Sequence, residues 1–372
     1  MVKHHKKLLI ISMHLSGGCF QYSNEIISRM HIDRDLYIPE ITCEKHSLVD
    51  YKTLKFYGYN NVRRYLSLFI FLIKIFWRGI ISKYSALLLF GYTSWDYYIA
   101  RVWKLTGKKL YFVVHDGKLH VGENNMRNQK RLLYIMRQSH NLIFLSEYVR
   151  NMIRLSYGID KPYHIAPHGL IDYGMVMSEI HEKPVLLFLG RISRYKGIDL
   201  LIDSLKYIPD VYEKLVIAGK WEYAVPDISN PKIEIINKWL SEVEIIDFIS
   251  KADIMLFPYI EATQSGVATL AINYLKPVVA FNVGAFKEQF DKNSALLIDT
   301  IDAESFADGI TQLCIDKDRR LSMKSEMEKL KKKYSWDCIA SDLVKYICDT
   351  VSRYHFVPAY SSGSYSSSLK NS

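Results

Sequence analysis

The chain of 372 residues is poor in cysteine and proline, has no apolar run of membrane-spanning length and carries no internal repeat. Each shortage excludes something. The five cysteines (Cys19, Cys43, Cys314, Cys338, Cys348) are scattered without a CxxC pair, which argues against a disulfide scaffold and against structural zinc. The start, MVKHHKK, is basic, but the apolar stretch after it is short and runs into a glycine turn. It reads as a strand rather than a secretory signal, and predicts a cytoplasmic protein with reduced thiols. Without a fixed period of 20–50 residues, solenoids and propellers are excluded.

The composition is globular: 49% hydrophobic and 24% charged residues, in a length that suggests two domains. The net charge of +10 admits nucleic acid, an anionic membrane surface or phosphorylated ligands as partners. No nucleic-acid module is present, so nucleic acid is not expected. Residues 62–83 (VRRYLSLFIFLIKIFWRGIISK) are densely apolar and punctuated by Arg63, Arg64, Lys74, Arg78 and Lys83. The uncharged part, 65–73, falls short of the ~20 residues that cross a bilayer. Such a helix either lies in an anionic membrane interface, with Phe76 and Trp77 at headgroup depth, or packs on a sheet with its cations reaching solvent; both can hold together. The localisation expected is thus cytoplasmic, with peripheral attachment to the inner membrane face.

Apolar strand runs alternate with amphipathic helices along the chain. Residues 185–189, 215–218, 254–257 and 277–281 read as parallel strands buried on both faces. Gly190 ends the first of these, and Arg191 follows at its C-terminal edge. Lys196-Gly197 opens a helix with Ile198, Leu201, Ile202 and Leu205 on one face. Ser265-Gly266 precedes another helix, whose unsatisfied N–H groups at Ser265, Gly266 and Val267 suit a phosphate. The first half repeats the pattern: strands at 7–12, 87–90, 110–114 and 141–146, with a Ser16-Gly17-Gly18 turn after the first strand that lets backbone approach a ligand. His115 and Asp116 come off a strand end, with His120 and Glu123 in the loop beyond, where function sits on rigid support. His115 is a candidate to donate, accept or transfer a proton, and Asp116 to orient its ring or bind a hydroxyl. A strand-end histidine bonded to backbone is the structural alternative, and the His/Asp/His/Glu set also admits a metal reading.

The ordered series Arg191, Lys196-Gly197, ADIMLFPY, TQSGV and KPVVA resembles the C-terminal domain of retaining glycosyltransferases of family 4, and more weakly the resemblance runs over nearly the whole chain. It implies an α/β protein of the GT-B fold: two Rossmann-like, doubly wound parallel-sheet domains facing a central cleft. On this reading a first, acceptor-binding domain spans 1–169, a linker 170–183, a nucleotide-sugar-binding domain 184–335, a crossover helix 336–357 and a disordered serine-rich tail 358–372. The resemblance implies that Arg191 and Lys196 hold the donor diphosphate, with His115 and Asp116 completing the catalytic set. It places Gly17, Gly18, Gly190, Glu261, Gln264, Ser265, Gly266 and Val267 on the donor, and His120 and Glu123 on the acceptor. It also implies a metal-independent hexosyl transfer with no cofactor beyond the nucleoside-diphosphate sugar, to a lipid-linked glycan of capsule, lipopolysaccharide or exopolysaccharide. One departure stands out. The two glutamates separated by seven residues in many members are replaced at those positions by Ala262 and Leu270, which leaves Gln264 or Glu261 to clasp the ribose. Trp239 is expected in the core rather than against a base, and Ser241 with Glu244 forms a capping box. A nucleotide-sugar epimerase, or a non-catalytic membrane-surface protein on the same fold, are the alternatives.

Overall fold

The computed structural model describes residues 7–14, 17–40, 51–54, 61–81, 84–91, 93–115, 126–176 and 181–351. Asp116, His120, Glu123, Lys83 and the serine-rich tail lie outside them.

The first sheet holds β1 (Lys7–Ser12), β2 (Arg34–Pro39), β3 (Tyr51–Leu54), β4 (Tyr84–Phe90), β5 (Lys109–Val114), β6 (Asn141–Phe144) and β7 (Tyr163–Ile165), in the order β3-β2-β1-β4-β5-β6-β7. The second holds β8 (Leu186–Leu189), β9 (Leu215–Ala218), β10 (Ile233–Ile236), β11 (Ile254–Phe257), β12 (Val278–Phe281) and β13 (Leu296–Ile298), in the order β10-β9-β8-β11-β12-β13. Every pairing is parallel, from Leu9 opposite Leu87 to Leu187 opposite Met255. Both sheets reverse their strand order in the Rossmann manner, so each has a crevice at the C-terminal ends of its first and fourth strands, where such folds bind ligands. The central strands are buried on both faces, as β8 (LLFL) and β11 (IMLF) show, because helices cover both sides of a parallel sheet.

The first sheet is packed by α1 (Gly17–Arg29) on one face, and by α2 (Asn61–Ile80), α3 (Ser94–Lys104), α4 (Met126–Gln138) and α5 (Glu147–Tyr157) on the other. The second is packed by α6 (Ile198–Ser204), α7 (Glu242–Lys251), α8 (Gly266–Asn273), α9 (Phe286–Gln289), α10 (Ala303–Ile315) and α11 (Lys317–Lys333). The last helix, α12 (Trp336–Val351), returns to the first domain, where Trp336, Ile339, Leu343 and Ile347 join the core formed with Tyr22, Ile26 and Phe90. Its entry is fixed by Trp336, whose Nε1 donates to Leu170 O at 2.8 Å. A Cβ built on Gly169 would fall 2.3 Å from the Trp336 ring, so the chain crosses between domains directly against the indole.

The strongly charged α11 still buries Met323, Met327 and Leu330 along one stripe. The helix within 62–83 shows both of its anticipated aspects. Leu68, Phe71 and Ile75 are buried in the first domain's core, while Tyr65, Leu66, Phe69, Ile70, Ile73, Trp77 and Ile80 are exposed. Arg78 points inward rather than out: its Nη1 donates to Tyr37 Oη at 2.9 Å and lies 3.7 Å from Asp35. No helix among the described residues is long and apolar enough to cross a membrane.

Replacing Trp336 by alanine removes a buried aromatic and a hydrogen bond at the domain crossing, and should destabilise the first domain by about 3–5 kcal/mol. Trp336→Phe, which keeps most of the packing, should cost less. Urea unfolding followed by circular dichroism reads both; equal stability of Trp336→Ala and wild type would show that α12 does not anchor the domain.

Candidate active site

A cavity of about 400 Å³ opens at the C-terminal ends of β8, β9 and β11, within the range of small-ligand sites. Gly190, Arg191, Tyr195, Lys196, Glu261 and the turn 262–267 line it on one side, and Lys238, Trp239 and Leu240 on the other. Its floor is tight. Gly219, with φ +150°, approaches so closely that a Cβ there would lie 2.0 Å from Gly190 O; only glycine permits the two strand ends to meet.

Lys196 is the unusual group. It is only 7% exposed, makes no ion pair among the described residues, and its Nζ lies 5.1 Å from the centre of the Tyr259 ring. Burial pushes its pKa down to about 8, with Arg191 nearby adding to the fall and Tyr195 and Glu222 opposing it. A buried ammonium without a carboxylate is costly; an incoming anion supplies the missing partner. Arg191 differs. It is exposed at the rim, and its Nη1 pairs with Glu222 Oε1 at 2.9 Å.

Opposite Lys196, α8 begins at the TQSGV turn. Ser265 caps it, its Oγ accepting from Ala268 N–H at 3.3 Å. The Ser265 N–H, expected on phosphate, instead donates to Gln289 Oε1 at 3.1 Å, because the Gln289 amide is buried and needs partners. That leaves Gly266 and Val267 at the first two helical positions, where N–H groups are unsatisfied by the helix itself. Gln264 also has another job. Its Nε2 donates to Leu145 O at 2.7 Å and its Oε1 accepts from His168 N–H at 2.8 Å, so it ties the two domains together at the cavity wall instead of standing ready for a ribose. Glu261 remains on the lining. Ala262 and Leu270, at the positions of the paired glutamates, are buried in the core. The capping box of Ser241 and Glu244 is present as expected.

Trp239 reverses its expectation. It is 72% exposed and stands at the cavity mouth. The loop after β10 turns outward, and Leu240 rather than Trp239 packs on the core; a single aromatic after a short strand gives no sign of which way it points.

On the first domain, Gly17 and Gly18 are the opening residues of α1 with open space around them; they do not line the second-domain cavity. His115 ends β5 and meets the edge of the Tyr22 ring, centroids 4.8 Å apart. Tyr22 in turn meets His168 at 6.0 Å, and a Cβ on Gly266 would lie 3.8 Å from His168 Nε2. His115 is therefore linked to the start of α8 by two ring contacts across the domain boundary. His168, absent from the sequence-derived set, is buried, has its pKa lowered by that burial, and places its Nδ1 2.8 Å from Gly169 O. Its one signal in the sequence is the Pro167-His168-Gly169 turn that ends the first domain.

Two parallel-sheet Rossmann-like domains with a cavity at the second domain's strand ends define an α/β protein of GT-B architecture. Residues 183–316 match the family described as Glycosyl transferases group 1, and the second domain is a domain of that kind. An uncharacterized glycosyltransferase of Methanocaldococcus jannaschii is 24% identical over 233 residues, which is 60% of this chain and 64% of that protein. A D-inositol 3-phosphate glycosyltransferase of Corynebacterium aurimucosum is 29% identical over 188 residues, 46% of this chain and 44% of that one. The chain thus spans less than two thirds of either relative. In fold, it resembles Anabaena HepE solved in complex with UDP, with a TM-score of 0.71 and 13% identity over 92% of this chain and 100% of the other.

The Lys196 environment predicts a stability effect with a defined sign. Its folded pKa lies below its unfolded one, so below about pH 8 both states carry the charge and the full burial penalty acts on the fold. From there to the unfolded value near 10.5 the folded lysine releases its proton first, and the penalty fades with rising pH. Lys196→Met should therefore stabilise the ligand-free protein near neutrality, on the order of 1–3 kcal/mol, and the gain should shrink from pH 8 upward. Urea unfolding of both proteins at pH 7 and pH 10 checks this; a destabilised variant at pH 7 would contradict it.

Proposed function

We propose that the protein is a retaining glycosyltransferase that moves a hexosyl group from a nucleoside-diphosphate sugar to a glycan acceptor carried on a lipid at the membrane surface. The observation that carries the reading is the buried, unpaired Lys196 ammonium facing the Gly266-Val267 helix start within one cavity. A diphosphate between them receives a cation and two N–H donors, with Arg191 reaching it from the rim once drawn from Glu222.

Chemistry follows from that placement. As the bond from the anomeric carbon to the phosphate oxygen breaks, negative charge grows on the leaving oxygen. Lys196 and the helix N-terminus stabilise it more in the transition state than in the ground state, so fixed protein charge serves where other transferases use a metal. The acceptor hydroxyl approaches from the first domain, on the face the nucleotide leaves, and the leaving phosphate takes its proton; the anomeric configuration is retained. His115 sits at that side for contact with the sugar. Trp239 at the cavity mouth suits a base by stacking, and Glu261 is placed for ribose hydroxyls.

Thermal unfolding with UDP, GDP, ADP and CMP should show a clear rise with one nucleoside diphosphate, and affinity for it should fall above about pH 8 as Lys196 loses its proton. With the matching sugar donor, Lys196→Ala should lower kcat by about 10²–10³-fold, and Arg191→Ala by less, since Arg191 is exposed and already paired. Full activity in both variants would sink the assignment.

The exposed apolar stripe of α2 carries the membrane part of the proposal. Leu66, Phe69, Ile70, Ile73 and Trp77 cannot turn into the core, because the opposite stripe already does. An apolar face of this kind lies at the acyl boundary of a lipid surface. The protein should sediment with vesicles containing anionic lipid and less with neutral ones; Phe69→Ser, Ile70→Ser and Trp77→Ser together should abolish sedimentation while leaving nucleotide binding intact. Retention of vesicle binding in that triple variant would remove α2 from the interface.

A further inference from the structure

The first domain has its own crevice, at the ends of β1 and β4, apart from the cavity that Lys196 and α8 line in the second. His14 lies just beyond β1, Cys19 in the first turn of α1, and His115 directly after β5. Their ligand atoms, two imidazole nitrogens and one sulfur, all lie within 4.8 Å of one another. The rings of His14 and His115 meet edge to face with centroids 5.6 Å apart.

The position of His14 is built in. Gly91, just past β4 with φ +75°, lies beneath its ring, and a Cβ there would come within 1.5 Å of His14 Nε2. Only glycine accepts both that backbone angle and that contact. His14 Nε2 is buried and finds no hydrogen-bond partner among the described residues. A polar ring nitrogen held this way without a partner is an uncommon arrangement, and each instance calls for an explanation. The remaining geometry supplies one. The start of α1 favours a negatively charged sulfur, Tyr22 braces the His115 ring from the side, and all three candidate ligands are partly exposed.

We propose that His14, Cys19 and His115 form a binding site for a borderline-soft divalent metal ion, zinc first among them. Two imidazoles and one thiolate are the ligand types that zinc, cobalt and nickel prefer over magnesium or calcium. A tetrahedral ion holds such atoms about 3.3–3.8 Å apart, from metal–ligand bonds of about 2.0–2.3 Å, so small side-chain rotations close the observed spacing. Three protein ligands leave a fourth position for water, as in sites that bind or act on ligands rather than merely brace a fold. Bound through one nitrogen, His115 would keep a fixed ring orientation. The ion is separate from the donor diphosphate, which Lys196 and α8 serve, and the inference does not rest on the transfer reading.

The full chain, stripped with chelator, should bind one equivalent of Co²⁺ with tetrahedral ligand-field bands and a thiolate-to-cobalt charge-transfer band, and Zn²⁺ should displace it. Cys19→Ser should erase the charge-transfer band. His14→Gln should weaken both ions by about tenfold or more, with the circular dichroism spectrum unchanged. X-ray absorption at the zinc edge of the loaded wild-type protein reads the shell without any variant: one sulfur and two imidazoles are expected. A shell without sulfur, no equimolar binding, or wild-type affinity in both variants would overturn the site. Because no sugar nucleotide enters these measurements, their failure leaves the transferase reading standing, and the reverse.

Discussion

A short polar seam between the domains governs what the rest of the molecule can do. The Gln264 amide joins Leu145 O to His168 N–H, and Ser146 Oγ donates to Thr263 O at 3.0 Å. Glu288 accepts from the N–H groups of Glu147 and Tyr148 at 2.7 Å each. That last contact sets a carboxylate from the second domain on the N-terminus of α5 in the first, where both the free N–H groups and the helix dipole favour it. These bonds are directional, so they fix orientation in a way that apolar packing alone does not. Their result is that the C-terminal edges of the two sheets converge, with His115, Tyr22 and His168 on one side and Gly266 on the other. The α12 helix closes the same junction from behind, threading Trp336 against Gly169.

Within that frame the second domain's cavity holds a group that costs the fold stability. An ammonium at the position of Lys196, beneath Tyr259 and beside Gly190 and Val267, weakens the ligand-free fold. The same desolvation that lowers its pKa makes its field on a phosphate stronger than any exposed cation could provide. Arg191 shows the contrast. Held by Glu222 at the rim, it costs the fold little and is correspondingly weak in the electrostatic argument. The missing paired glutamates fit this balance. Ala262 and Leu270 are packed into the core, which leaves Glu261 as the one carboxylate among the described residues that line the cavity.

Much of this was legible in the sequence. The strands β8, β9, β11 and β12 are continuous apolar runs with glycine, lysine or proline at their ends, and a strand buried on both faces has no other appearance. Arg191, Lys196 and the TQSGV turn could be placed because strand ends and helix starts are local features. The short strands β10 and β13 were not legible: they are only half-buried, three or four residues long, and carry no distinctive period. Nor were the roles of Gln264, Gln289 and Trp239, which depend on which partner the fold brings to an amide or which way a loop turns. His14 and Cys19 belong to the same class. They stand apart from His115 in the chain by about a hundred positions, and only the order of strands in the sheet makes them neighbours.

The two crevices then divide by chemistry. Topology gives both domains the same reversal of strand order, hence the same kind of opening at the same sheet edge. What fills the edge differs. In the second domain a lysine, a helix start and a rim arginine present hard, hydrogen-bonding positive charge, suited to phosphate oxygen. In the first, imidazoles, a thiol and a tyrosine face present softer, polarisable groups with lone pairs, suited to a metal ion or to sugar hydroxyls and unsuited to a second phosphate. A fold that offers two equivalent openings therefore need not bind two equivalent ligands. The side chains just past β1, β5 and β8 set the distinction, and the seam at Gln264 and Glu288 brings the two chemistries within reach of one another.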